Sequence, residues 1–131
     1  EVYYEGEDVT IVACGPLLYE AMLAARELAK HNIRAEVINS ATVKPLDSKT
    51  ILASAHKTGA VVTVEEAQIA GGLGGAVCEL LAAEYPVPVR RIGVQDRFGQ
   101  SGTVSELWDE YELNAPHIVL AAKAVIERKA L

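Results

Sequence analysis

The chain is short of the residues that most often announce a chemistry. It has two cysteines among 131 residues. Cys14 and Cys78 each sit in an apolar stretch, and no C-x-x-C spacing exists. That excludes a disulfide scaffold and suggests two buried, reduced thiols in a cytoplasmic protein. The three histidines, His31, His56 and His117, are scattered, with no pair at ligand spacing, so no metal site is expected. Basic residues are in the minority, with a formal net charge of -6. Nucleic-acid binding needs clustered Lys and Arg to neutralise phosphates, and is not expected here. The one tight basic pair, Arg90-Arg91, lies in an otherwise apolar segment and reads as the solvent face of an edge strand. No apolar run approaches the ~20 residues that span a bilayer, so no membrane contact is expected. The opening "EVYYEGEDV" is acidic and has no signal-peptide core.

Half of the residues are apolar, enough for one core, and the length suits a single domain over residues 1–131. Short apolar runs alternate with helical patterns. Val9 to Ala13 is a compact β-type run, broken by Gly15-Pro16. Leu18, Ala21, Met22, Ala25, Leu28 and Ala29 then recur at helical spacing, and Asn32 ends that helix. Ala35 to Ser40 is the next strand. Asp47 suits an N-cap for a helix from Ser48 to Lys57, and Gly59 supplies its stop. Ala60 to Val64 is a valine-rich strand, Leu73 to Ala83 a helix, and Val89 to Val94 a further strand. Two helices close the chain, about Val104 to Tyr111 and Ala115 to Lys129, the last capped by Asn114.

Apolar runs without polar alternation suit strands buried on both faces. With helices between them they give a three-layer α/β/α domain with a mostly parallel sheet. Val2 to Tyr4 is a fifth strand. Only Glu5-Gly6-Glu7-Asp8 separates it from the next, too short a link for a parallel crossover, so it is expected as an antiparallel edge.

In such a sheet, function gathers beyond the carboxyl ends of the strands. Those ends are Cys14-Gly15, Ser40-Ala41, Glu65-Glu66 and Gln95-Asp96. The stretch "VVTVEEAQIAGGLGGAV" joins Gly71, Gly72, Gly74 and Gly75 to the third end, and "DRFGQSG" joins Arg97 to the fourth. The glycine turn fails the G-x-G-x-x-G spacing, and no Gly-Lys-Ser/Thr is present. A helix start attracts anions, but Glu65 and Glu66 would repel a diphosphate. Two readings of the turn stay open. Either carboxylate could cap the following helix, or the rim could dock another domain. Adjacent strand residues face opposite ways, so Glu65 and Glu66 do not converge as an acid–base pair unless the strand has ended. No catalytic set is expected.

The ordered series "DVTIVACG", "VKPLD", "VVTVEEAQIAGGLGGAV" and "RRIGVQDRFGQSG" resembles the C-terminal domain of transketolase-type thiamine diphosphate enzymes. The likeness runs from about Glu5 to Lys129 and is nearest to transketolase itself on "FGQSG". Related members are deoxyxylulose-phosphate synthase and the β subunits of 2-oxoacid dehydrogenase decarboxylases. Two positions depart from the family's habit. Ala67 stands where His is common after the second Glu, and Glu112 where Gly is common.

The resemblance implies a five-stranded mixed sheet of order 1-3-2-4-5 with an antiparallel first strand. It implies a domain excised from, or part of, a larger cytoplasmic enzyme that transfers two-carbon ketol units between sugar phosphates. Thiamine diphosphate and Mg²⁺ would then be held by other domains, in the same chain or a separate subunit, within a homodimer. This domain would bind neither and would be inactive alone. Glu65, Glu66, Gly71, Gly72, Gly74, Gly75, Asp96 and Arg97 would form its docking rim. A free-standing flavodoxin-like binding module is the competing class. It fits poorly, because Gly15-Pro16-Leu17 is not a flavin phosphate loop.

Overall fold

The computed structural model describes residues 1–15, 17–40, 45–66, 72–93 and 115–129. The elements in chain order are β1 (Val2–Tyr4), β2 (Val9–Ala13), α1 (Leu17–Ala29), β3 (Ala35–Asn39) and α2 (Ser48–Thr58). They continue with β4 (Val61–Glu65), α3 (Leu73–Glu84), β5 (Val89–Gly93) and α4 (Ala115–Lys129). The expected helix about Val104 to Tyr111, the cap at Asn114, and the positions of Ala67 and Glu112 lie outside the described residues.

The sheet order is β1-β3-β2-β4-β5. β2 pairs in parallel with β3 and β4, β4 pairs in parallel with β5, and β1 runs antiparallel to β3. The short link after Tyr4 has the expected effect. Gly6 turns beside β3, and Glu7 and Asp8 both donate backbone N–H groups to the Arg34 carbonyl.

Every residue of β2 and β4 is buried, because helices cover both faces. Val9, Ile11, Ala13, Val37, Val62 and Val64 pack against α1 and α4. Val12, Ile38 and Val61 pack against α2 and α3 through Ile51, Ala55, Leu73, Val77 and Leu81. The three layers are thus α1/α4, sheet, and α2/α3.

Helix ends follow local chemistry. Asn32 takes a left-handed φ of 61° just beyond α1, and its N–H reaches the Ala29 carbonyl. Gly59 ends α2 at φ 74° with its N–H on the Ala55 carbonyl, as only glycine does without strain. Asp47 occupies the N-cap position of α2 without a side-chain bond of full capping geometry, yet hydrogen bonding to Thr50 holds its carboxyl below the ordinary value. The thiols differ from expectation too: Cys14 and Cys78 are half-buried, not buried.

Candidate functional site at the head of helix α3

The carboxyl ends of the parallel strands bring Cys14, Ser40, Glu65 and Glu66 to one rim. The pleat then separates the two carboxylates. Val61, Thr63 and Glu65 alternate onto the α2/α3 face, and Glu65, the last residue of β4, is 8% exposed. Glu66 lies just past the strand end and is exposed.

Glu65 turns its carboxylate onto the first turn of α3. Oε1 accepts the Leu73 N–H at 2.7 Å, and Oε2 accepts the Gly74 N–H. Those amides have no partner within the helix, and the helix dipole favours negative charge there. Of the two readings that the sequence left open for the pair, Glu65 takes the helix cap. Its bonds are charge-assisted and stronger than neutral ones.

The glycines divide by role. At Gly74 a Cβ would stand 3.0 Å from Glu65 Oε2, 3.0 Å from Arg91 Cδ and 3.1 Å from Thr63 Oγ1. Close approach of helix to sheet therefore requires glycine at this position. A Cβ on Gly75 would meet nothing within 4 Å. Gly72 is the N-cap of α3, at φ -70°. Close packing at this turn thus rests on Gly74. Positive φ in the turn is not found at Gly72, Gly74 or Gly75. Gly71, Asp96 and Arg97 lie outside the described residues.

One neighbour of this cap, Thr63, was not singled out in the sequence. Thr63 is fully buried, and its hydroxyl oxygen has no hydrogen-bond partner. Its signal was available: Thr63 and Glu65 are two apart, so a strand must place them on one face. Cys14, at the end of the adjacent strand, has its thiol pushed above its ordinary value by burial and then by the charges of Glu65 and Glu66. It is a weak nucleophile as a result.

The described residues do not suit thiamine diphosphate or its metal. A diphosphate at α3 would meet amides already taken by Glu65. No group of three metal-ligating side chains exists among the described residues.

Strand order β1-β3-β2-β4-β5 between two helical layers defines a three-layer α/β/α domain with a mostly parallel sheet. Residues 1–118 match the family "Transketolase, C-terminal domain", and the chain belongs to that family. It is 54% identical over 125 residues to a 6-deoxy-6-sulfo-D-fructose transketolase subunit of Clostridium sp. (strain MSTE9), covering 95% of this chain and 39% of that protein. It is 44% identical over 131 residues to a 1-deoxy-D-xylulose-5-phosphate synthase of Geobacter sulfurreducens, covering 98% of this chain and 21% of that protein. Among solved structures, a split-gene transketolase described as an inactive β4 tetramer superposes with a TM-score of 0.92 at 45% identity. That match covers 98% of this chain and 42% of the other. A Pichia stipitis transketolase shares the fold at a TM-score of 0.68 and 18% identity, over 99% of this chain and 18% of the other. The chain thus spans about two-fifths or less of each of these relatives.

Proposed function

We propose that this chain is the C-terminal scaffold and docking domain of a transketolase, of the kind divided between two subunits. The observation that carries this reading is the occupied head of α3. The helix head where such a fold could hold a diphosphate is occupied by Glu65, which supports placing cofactor and catalytic groups in other domains. Two relatives at 45% and 54% identity, both transketolases and one of them a subunit by name, support the split arrangement. That the first of these is described as inactive as a β4 tetramer agrees with a subunit that needs a complement.

In this reading the whole enzyme is cytoplasmic and dimeric in its catalytic units. It transfers a two-carbon ketol unit between sugar phosphates, or from a sulfonated sugar as in the Clostridium relative. Thiamine diphosphate supplies the carbanion chemistry when bound to those other domains. No helix among the described residues is long and apolar enough to cross a membrane. The docking rim in this reading comprises Glu65, Glu66, Gly72, Gly74 and Gly75; Gly71, Asp96 and Arg97, expected in it from the sequence, lie outside the described residues.

The test is a ketol-transfer assay with thiamine diphosphate and Mg²⁺. The chain alone is expected to be inert, and activity to appear when the cofactor-binding domains are supplied. Turnover by these 131 residues alone would overturn the assignment. Activity with pyruvate and glyceraldehyde 3-phosphate, but with no ketose donor, would move the enzyme to the deoxyxylulose-phosphate synthases.

A further inference from the structure

We propose that the head of α3 is an anion site that carries its own ligand. The Glu65 carboxylate holds the place of an external carboxylate, and the Thr63 hydroxyl, which Glu65 leaves unpartnered, is a third donor that a free anion could engage. The amides of Leu73 and Gly74 supply the first two donors. Thr63 is fully buried with an unpartnered hydroxyl. Its oxygen and Glu65 Oε2 approach one point above Gly74, at 3.1 and 3.0 Å from where a Cβ would stand. The stem of Arg91 reaches the same point, its Cδ at 3.0 Å, on the residue paired with Thr63 in the sheet. Two amides and a hydroxyl, walled by an arginine stem, are the components of a small-anion pocket.

This explains how a glycine turn between strand and helix can lack phosphate affinity. The two oriented amides exist, but a tethered carboxylate saturates them at an effective concentration that a free ligand does not match, leaving only the Thr63 hydroxyl unpartnered. Shortening Glu65 vacates the position without disturbing the donors. The vacated site fits a small monocarboxylate such as formate or acetate better than a diphosphate, because the space opened is that of one carboxylate.

The experiment is chemical rescue of Glu65→Ala, read by thermal unfolding. The variant is expected to melt about 5–10 °C below the parent. Formate at roughly 50 mM should restore much of that loss in a saturable way. Sodium chloride at the same ionic strength should not, and the parent should not respond to formate beyond the chloride control. Adding Thr63→Val to Glu65→Ala should weaken the apparent formate affinity at least ~3-fold. A linear response equal to that of chloride, or equal stabilisation of the parent by formate, would overturn the proposal. Unchanged formate affinity in the double variant would remove Thr63 from the site. If Glu65→Ala does not fold, Glu65→Gln is read by amide exchange instead. Leu73 and Gly74 amides should then exchange about tenfold faster while those of Val77 and Leu81 keep the parent's rate. Unchanged exchange at Leu73 and Gly74 would refute the site. None of these readouts depends on enzyme activity, so they stand or fall apart from the transketolase assignment.

Discussion

The carboxylate of Glu36 on β3 accepts a hydrogen bond from the ammonium of Lys57 on α2. The Glu36 side chain is 4% exposed and that of Lys57 43% exposed, so a charge inside the fold is answered by one that reaches solvent. The Gly6 N–H donates to the same carboxylate oxygen at 3.2 Å. Burial by itself pushes Glu36 upward, but hydrogen bonds from Lys57, Ser54 and the Gly6 amide, with the charge of Lys57, outweigh it. The net effect holds Glu36 below its ordinary value of 4.5. A carboxylate lowered in the folded state stabilises it fully above the unfolded value, and that contribution disappears as pH falls through the folded one. Stability should therefore be flat near neutral pH and decline below about pH 4.5. Lys57→Met should cost about 1–2 kcal/mol near neutral pH and move the acid transition to higher pH. Urea melts across the acid range check both, and an acid transition that moves to lower pH would contradict the pairing.

Adjacent glycines should respond oppositely to alanine. Gly74→Ala forces a methyl against Thr63 and Glu65, both held in a buried strand, and should cost about 1–3 kcal/mol. Gly75→Ala enters open space inside a helix and should gain about 0.5–1 kcal/mol. Denaturant midpoints of the two variants settle the matter, and similar values for both would mean that the turn is not packed as described.

Cys14 offers an electrostatic probe of the rim. Burial and the charges of Glu65 and Glu66 all disfavour its thiolate, which is the reactive form. Removing one charge with Glu66→Gln, on the exposed side, should speed alkylation of Cys14 by iodoacetamide roughly 2–3-fold at mildly alkaline pH. The rate is followed by mass spectrometry of the Cys14 peptide. A slower or unchanged rate would show that Glu66 does not act on the thiol.

Much of this architecture was legible before any coordinates. Valine-rich runs marked β2 and β4 because strands covered on both sides carry mostly apolar residues, here with Thr10, Thr63 and Glu65 as exceptions. The four-residue link Glu5 to Asp8 decided the direction of β1, since no parallel crossover is that short. The division of labour between Glu65 and Glu66 was not legible. It turns on a single residue of strand length: β4 ends at Glu65 rather than Val64, which puts Glu65 in the pleat with Thr63 and leaves Glu66 outside. Boundaries at that precision are set by the pairing of Glu65 with Gly93 across the sheet, a tertiary contact. Gly74 and Gly75 were likewise indistinguishable as letters, because only the sheet beneath tells which one has a neighbour.

The two faces of the sheet are also unequal. Toward α1 and α4 the strands present Val9, Ile11, Ala13, Val37, Val62 and Val64, all apolar. Toward α2 and α3 they present Thr10, Glu36 and Glu65 as well as apolar side chains. Thr10 bonds to Ser54 and Thr58 at 2.7 Å each, Glu36 bonds to Lys57, and Glu65 to Leu73 and Gly74. Dispersion and burial have no preferred direction, whereas a hydrogen bond is lost within a fraction of an ångström. One helical layer is therefore greased and the other indexed. Against the strands α1 and α4 rest on apolar contact, and α4 is held at its two ends instead, by the Ala115 N–H on Glu20 and by Lys129 on the Asp8 and Thr58 carbonyls. The placement of α3, and with it the rim, stays keyed to the strands like a gear held by its teeth.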